Sequence, residues 1–236
     1  MPTIVHQQND QYGVRGDGTL SFSVTSPGGS NLVCIVSLGW TEGFIDNYVL
    51  GSLDYNASAM NEIGTEHDNG SGSFHIMAYV VDPASGSNTV EWDLLNALNE
   101  TACTVNVDWF TNVDQTTPIV GPETQSKITG AFSEPNHTAL TAGADEILYM
   151  CTAVDQNSTF PSGDSNVTLN PSIYQTANDD QESQTGYTTL DGHDLIGYNG
   201  NLSGNWASTA VVLNASVAAA DPHILFEKRL SPLILI

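Results

Sequence analysis

The 236-residue chain carries 27 acidic and only 4 basic residues, giving a formal net charge of −23, although charged residues make up just 13% of it. A surface so poor in Lys and Arg repels phosphate backbones and anionic lipid, so neither nucleic acid nor a membrane surface is expected as a partner. The length suffices to bury a sizeable core, and all-β sandwiches of this size commonly form one domain, which is the expectation here.

Residues 1–18 are polar and Gly-punctuated and read as an N-terminal arm or short edge strand. They lack the basic and apolar regions of a signal peptide, so either the mature protein starts elsewhere or it is made in a cytoplasm. The Arg15-Gly16-Asp17 tripeptide is too short a match to carry a function. Residues 19–25 (TLSFSVT) alternate apolar and polar side chains as a half-buried strand does, whereas residues 31–40 (NLVCIVSLGW) are continuously apolar and predict a strand covered on both faces. A short strand with a turn follows within residues 48–60, then a loop over 62–73 with Asp68, Asn69 and Gly70 at its tip.

Residues 73–119 hold three extended runs and should form the centre of the fold. Phe74, Ile76, Ala78 and Val80 alternate with His75, Met77, Tyr79 and Val81, and the Pro83- and Gly86-containing segment 82–88 predicts a reversal before Thr89. Cys103, Val105, Val107 and Trp109 set against Thr104, Asn106 and Asp108 predict one apolar and one wet face, which is half of a sandwich. Leu94, Leu95 and Leu98 make residues 90–100 the best helix candidate in the chain. Residues 121–135 read as loop, 144–154 (ADEILYMCTAV) as a buried strand, and 156–205 as long polar loops with short strand candidates at 166–169 and 187–190. The strand at 206–216 (WASTAVVLNAS) closes the sandwich, leaving residues 218–236 as a tail. Cys34, Cys103 and Cys151 each lie in an apolar run without metal-ligand spacing, so they are expected as buried free thiols.

The order of the NLVCIVSL strand, the NGSGSFHIMAYVVDPASGSNTVEW hairpin, the VDQTTPI segment, DEILYMCTAV and WASTAVVLNAS resembles the jelly-roll, concanavalin-like β-sandwiches of phage virion and bacterial surface or secreted proteins. The resemblance covers residues 20–217, and VDQTTPI at 113–119 is its sharpest part. It implies an antiparallel, all-β jelly-roll sandwich over residues 19–217 with an external, non-enzymatic role. The chain departs from the pattern in lacking a signal peptide and in adding its C-terminal tail.

Several constellations bear on chemistry. Glu91 and Asp93 lie about 7 Å apart along one strand face and resemble the paired carboxylates of jelly-roll glycosidases. The third acidic position is Asn96, which cannot donate a proton, so a solvated face is expected. Asp191, His193 and Asp194, or Glu66, His67 and Asp68, could ligate a structural Ca²⁺, but neither set has EF-hand or zinc spacing, and no cofactor is expected. A sugar-stacking platform would draw on Trp40, Trp92, Trp109 or Trp206, or, in the long loops, on Tyr174, Tyr187 or Tyr198 as glycan contacts. Eight N-x-S/T sequons, at Asn56, Asn69, Asn99, Asn136, Asn157, Asn166, Asn201 and Asn214, would matter only if glycosylating machinery met the protein.

The tail is the expected docking element, the alternative being an edge strand added to its own sandwich. Phe226, Leu230, Leu233, Ile234, Leu235 and Ile236 are too apolar to stay in water, and Lys228 and Arg229 are half of the chain's basic residues. The function expected is therefore a structural protein on the surface of a virus particle, a capsid decoration or appendage subunit made in a host cytoplasm. Its partners would be other virion proteins and further copies of itself. The alternative is an extracellular carbohydrate-binding or adhesion module.

Overall fold

A computed structural model describes residues 3–15, 18–41, 49–68, 73–95, 102–127, 135–155, 159–175, 180–188 and 195–216. All regular elements there are strands: β1 (Val5–Arg15), β2 (Gly18–Ser26), β3 (Val33–Thr41), β4 (Val49–Tyr55), β5 (Ser58–Ala59), β6 (Asn61–Asp68), β7 (Ser73–Val81), β8 (Gly86–Leu95), β9 (Ala102–Thr111), β10 (Ile119–Lys127), β11 (Asn136–His137), β12 (Ile147–Val154), β13 (Val167–Leu169), β14 (Ile173–Gln175), β15 (Gln181–Thr188), β16 (Ile196–Gly197) and β17 (Trp206–Leu213). They build an outer sheet of order β2-β8-β4-β5, a middle sheet β1-β9-β3-β7-β6, a third sheet β10-β17-β12-β15-β13 with β14 also on β15, and a ribbon β11-β16. The pairings are antiparallel throughout.

Side chains alternate across a strand, so the two faces of β3 identify the layers. Cys34, Val36, Leu38 and Trp40 pack with Val90 and Trp92 of β8 in the core between outer and middle sheets. Val33 and Ile35, one residue out of phase, pack with Tyr149 and Cys151 of β12 and Val211 and Leu213 of β17 between middle and third sheets. Leu148, Met150 and Val154, on the far side of β12, meet Ile196, Tyr198 and Leu202 around the ribbon. The sheets are therefore stacked in three layers with the ribbon beyond, and both β3 and β9 are buried at every position. The expected wet face of Thr104, Asn106 and Asp108 is not wet, because the third sheet covers it.

The strand order repeats between the halves of the chain. In the first, the first, last, third and seventh strands lie side by side as β1-β9-β3-β7, and the second pairs with the eighth. In the second, β10-β17-β12-β15 sets the first, last, third and sixth of eight strands side by side and the second, β11, pairs with the seventh, β16, so that both halves join first, last, third and third-from-last strands and pair the second with the last but one.

Several local expectations change. Residues 5–15, expected as an arm or a short edge strand, form an edge strand of 11 residues, paired with β9 from Val5↔Thr111 to Arg15↔Ala102. The segment 82–88 does reverse the chain, with Asp82 at φ 46° and Asn88 Nδ2 donating to the carbonyls of Ala84 and Gly86. It passes from middle to outer sheet, so β7 and β8 are not a hairpin. The helix candidate is a strand as far as Leu95, and its remainder lies outside the described residues. The loops expected at 62–73 and 121–135 contain the edge strands β6 and β10, and the polar stretch 156–205 contains β13 to β16. In the VDQTTPI segment Asp114 Oδ1 accepts from the amides of Thr116 (2.7 Å) and Thr117 (2.8 Å), a turn that launches β10. Those two amides hold its carboxyl below the usual carboxylate range.

Candidate functional site

The seam between middle and third sheets is polar over half its length. From β9 it receives Thr104, Asn106 and Asp108, and from β15 Gln181, Ser183 and Thr185, all buried. Small polar side chains let the sheets approach. A Cβ on Gly39 of β3 would stand 2.8 Å from the Cβ of Ala153 and 3.2 Å from Gln181 Nε2.

Asp108 is the hub of this seam. It has no solvent exposure and accepts four hydrogen bonds. Oδ1 takes them from His6 Nε2 (2.8 Å), Asn9 Nδ2 (3.1 Å) and Asn170 Nδ2 (2.9 Å), and Oδ2 from the hydroxyl of Tyr149 (2.8 Å). Two donors come from the edge strand β1, one from the segment after β13 and one from β12, so a single carboxylate ties the first half of the chain to the second. The second Asn170 Nδ2 hydrogen bond goes to Thr185 Oγ1 (2.8 Å), and Asn106 Nδ2 reaches Ser183 Oγ (2.8 Å). Burial raises the Tyr149 hydroxyl well above its ordinary value, and the Asp108 charge pushes the same way. A carboxylate ringed by four donors is a stable arrangement for a buried charge.

At its β1 end the seam opens into a cleft of about 210 Å³, lined by Ile4, Val5, His6, Glu146, Ile147 and Tyr187 among others. His6 stacks on Tyr187 with ring centroids 4.5 Å apart, and Phe110 lies against both rings. Across the cleft Thr3 Oγ1 donates to Asp145 Oδ1 (3.1 Å), and Glu146 Oε2 accepts from the amide of Gly143 (2.6 Å).

A second polar cluster lies beyond the third sheet. His137 Nε2 is 2.9 Å from Ser208 Oγ, which also meets Thr152 Oγ1 (2.8 Å) and donates to the carbonyl of Cys151 (3.1 Å). Glu123 Oε1 lies 3.8 Å from His137 Nδ1, an ion-pair distance too long for a hydrogen bond. The residue types match a Ser-His-acid set, but Ser208 is wholly buried in mid-strand and its hydroxyl is engaged by three partners. What the cluster joins is β17, β12 and β11.

The glycan-contact candidates are dispersed. Tyr198 is fully buried in the core under the ribbon, with Phe160 5.5 Å from its ring, and offers no face to a ligand. Tyr187 belongs to β15 and lines the cleft, while Tyr174 sits half-buried on β14. Trp40, Trp92, Trp109 and Trp206 are all core residues. Glu91 and Asp93 are half-buried on β8, alternating with the buried Val90 and Trp92, and Asp93 Oδ1 accepts from Thr19 Oγ1 (3.0 Å). Asp191, His193 and Asp194 lie outside the described residues, as do residues 217–236 with Phe226, Lys228, Arg229 and Leu230. Among the described residues no group of three His, Cys, Asp or Glu could hold a metal ion, and no helix is long and apolar enough to cross a membrane. All three cysteines are free and buried, and burial pushes the Cys103 thiol up to about 12.

Sequence reasoning missed Asp108 because it stands in an alternating strand where a polar residue reads as solvent-facing. The available signal was Asp108 together with Asn106 and Thr104 opposite a second polar strand, and that pairing needs the topology to be seen. Compared with known proteins, the chain matches no family model, and neither the curated proteins nor the solved structures give a significant match.

Proposed function

We propose that this chain is a non-enzymatic structural subunit displayed on a virus particle, a capsid decoration or external appendage protein, and that each half is a jelly roll. The observation that supports this is the repeated strand order. An arrangement of first, last, third and third-from-last strands, with the second paired to the last but one, is what results when a folded-over ribbon of strands wraps into two sheets. That architecture recurs in viral capsid and lectin domains. The two best-formed polar clusters fit the same role, since Asp108 and Ser208 spend their hydrogen-bonding capacity joining layers.

The test is to purify particles from infected cells and quantify this chain against the other particle proteins by mass spectrometry. A fixed stoichiometry retained through density-gradient purification is expected. A chain that stays in the supernatant while intact particles band without it would refute the assignment. Carbohydrate binding is the second reading, favoured by the aromatic wall that Tyr187 and His6 give the cleft, and glycan-array binding lost in Tyr187→Ala would select it.

A further inference from the structure

The cleft at the β1 end of the seam has a shape and a chemistry that the structural role leaves unassigned. At about 210 Å³ it is smaller than the sites that enclose drug-sized ligands and suits one or two side chains. Its floor is apolar, formed by Ile4 and Ile147. At its rim Val5 is 46% exposed, one of two large hydrophobic side chains so open among the described residues. Glu146 lines one side, with Asp145 preceding it in the same turn. An apolar floor with an acidic flank fits a segment in which large apolar side chains adjoin basic ones.

The described chain ends beside this cleft. The amide of Ser216 donates to the carbonyl of Asn112 (2.8 Å), and Asn112 Nδ2 donates to the carbonyl of Thr3 (2.8 Å), which is part of the cleft wall. Residues 217–236 follow, and in them Phe226 and Leu230 bracket Lys228 and Arg229. Elsewhere the chain has only Arg15 and Lys127 as bases, so this is its one segment with complementary charge and apolar content together.

We propose that the cleft is the seat of residues 226–230 from a second copy of this chain. The inference rests on the structural-subunit assignment above and gives its copy-to-copy contact a place. A second copy is favoured by reach. Residues 217–225 start at the cleft's own edge and span up to about 30 Å when extended, and Pro222 among them favours an extended path. An extended path over these residues would take Phe226 away from the adjacent cleft, towards that of a neighbour. Docking then places Phe226 or Leu230 against Ile4, Val5 and Ile147, and Lys228 and Arg229 towards Glu146 and Asp145.

Disulfide trapping in the full chain tests this, because Cys34, Cys103 and Cys151 are buried and stay silent. Chains carrying Val5→Cys are mixed with mass-labelled chains carrying Phe226→Cys under a mild oxidant. The expected result is a disulfide between the two kinds of chain, forming at least about tenfold faster than with Val120→Cys, an equally exposed control, because docking raises the local concentration. Adding Lys228→Glu and Arg229→Glu to the Phe226→Cys chain should remove that advantage. Cross-linking at the control rate overturns the proposal. So does a Val5→Cys/Phe226→Cys double variant that closes within one chain while mixtures do not, since the occupant is then the chain's own tail. Sedimentation of a chain lacking residues 230–236 separates the two levels. If association is lost on truncation yet the cleft never cross-links, the structural-subunit assignment survives and the seat lies elsewhere.

Discussion

Replacing Asp108 by Leu removes a carboxylate from the centre of the molecule while keeping a side chain of similar reach. Of the four donors it satisfies, those of His6 and Asn9 belong to half-buried residues of the edge strand and can turn to water, whereas Tyr149 and Asn170 are buried. Each stranded buried donor costs about 1–3 kcal/mol. Tyr149 can turn to Ser37 Oγ, 3.2 Å away, and Asn170 keeps Thr185, so neither loses everything. We expect a loss of about 2–5 kcal/mol, a large share of the roughly 5–15 kcal/mol that stabilises a typical native protein. Asp108→Asn keeps an acceptor oxygen, and Tyr149 can accept from the new amide, so that loss should be nearer 1–2 kcal/mol. Urea unfolding followed by tryptophan fluorescence measures both. Location gives the sharper check. Cys151 lies in the core between middle and third sheets, whereas Cys34 and Cys103 lie between outer and middle. Loosening the seam should therefore speed alkylation at Cys151 more than at the other two. A cost below about 1 kcal/mol for Asp108→Leu, or equal acceleration at all three thiols, would show that the carboxylate does not hold the layers together.

The remaining expectations are narrower. In the native protein all three thiols should resist alkylation at pH 8, since burial holds them protonated, with Cys103 near 12, and mass spectrometry should find them modified only after denaturation. Gly39→Val should cost about 1–3 kcal/mol, because Ala153, Gln181 and Thr104 leave no room for its side chain, and a neutral result in urea unfolding would mean that the sheets can part there. Glu91→Ala and Asp93→Ala should each change stability by no more than about 0.5 kcal/mol and leave particle association intact. A glycan-hydrolysing activity lost in either variant would overturn the non-enzymatic assignment.

The strands legible in sequence were those whose burial is apolar. β3, β7, β9, β12 and β17 fall on the runs that hydrophobic content marks out, and β3 was rightly expected to be covered on both faces. β15 was not legible. Its sequence, QESQTGYT, has the composition of a loop, yet seven of its eight residues are buried. Asn106 of β9 donates to Ser183, and Asn170, which also donates to Asp108 of β9, reaches Thr185, so hydrogen bonds hold the strand inside without an apolar run. The edge strands β6 and β10 were hidden for a simpler reason, since a strand paired along one side and partly wet carries little apolar signal. Counting sheets was beyond periodicity as well. Alternation reports that a strand has two kinds of face, and it cannot tell water on the second face from a neighbouring sheet made of Ser, Thr and Asn.

The position of the last strand in each half governs the order in which this chain can fold. β1 leaves the ribosome before the other strands described, but its ladder partner in the middle sheet is β9, about a hundred residues later, and β9 is also what joins β1 to β3. β17 stands in the same relation to β10 and β12. Each of these two sheets therefore has a gap between its first strand and the rest until its final strand arrives, and closing that gap means bringing together ends separated by most of a half, a slow step for long-range β pairing. During synthesis the first half can close once residue 111 is clear of the ribosome, while β10 and β12 wait with unpaired edges for residue 213. A ribosome stalled shortly before β17 would hold a finished first half beside an open, association-prone second one.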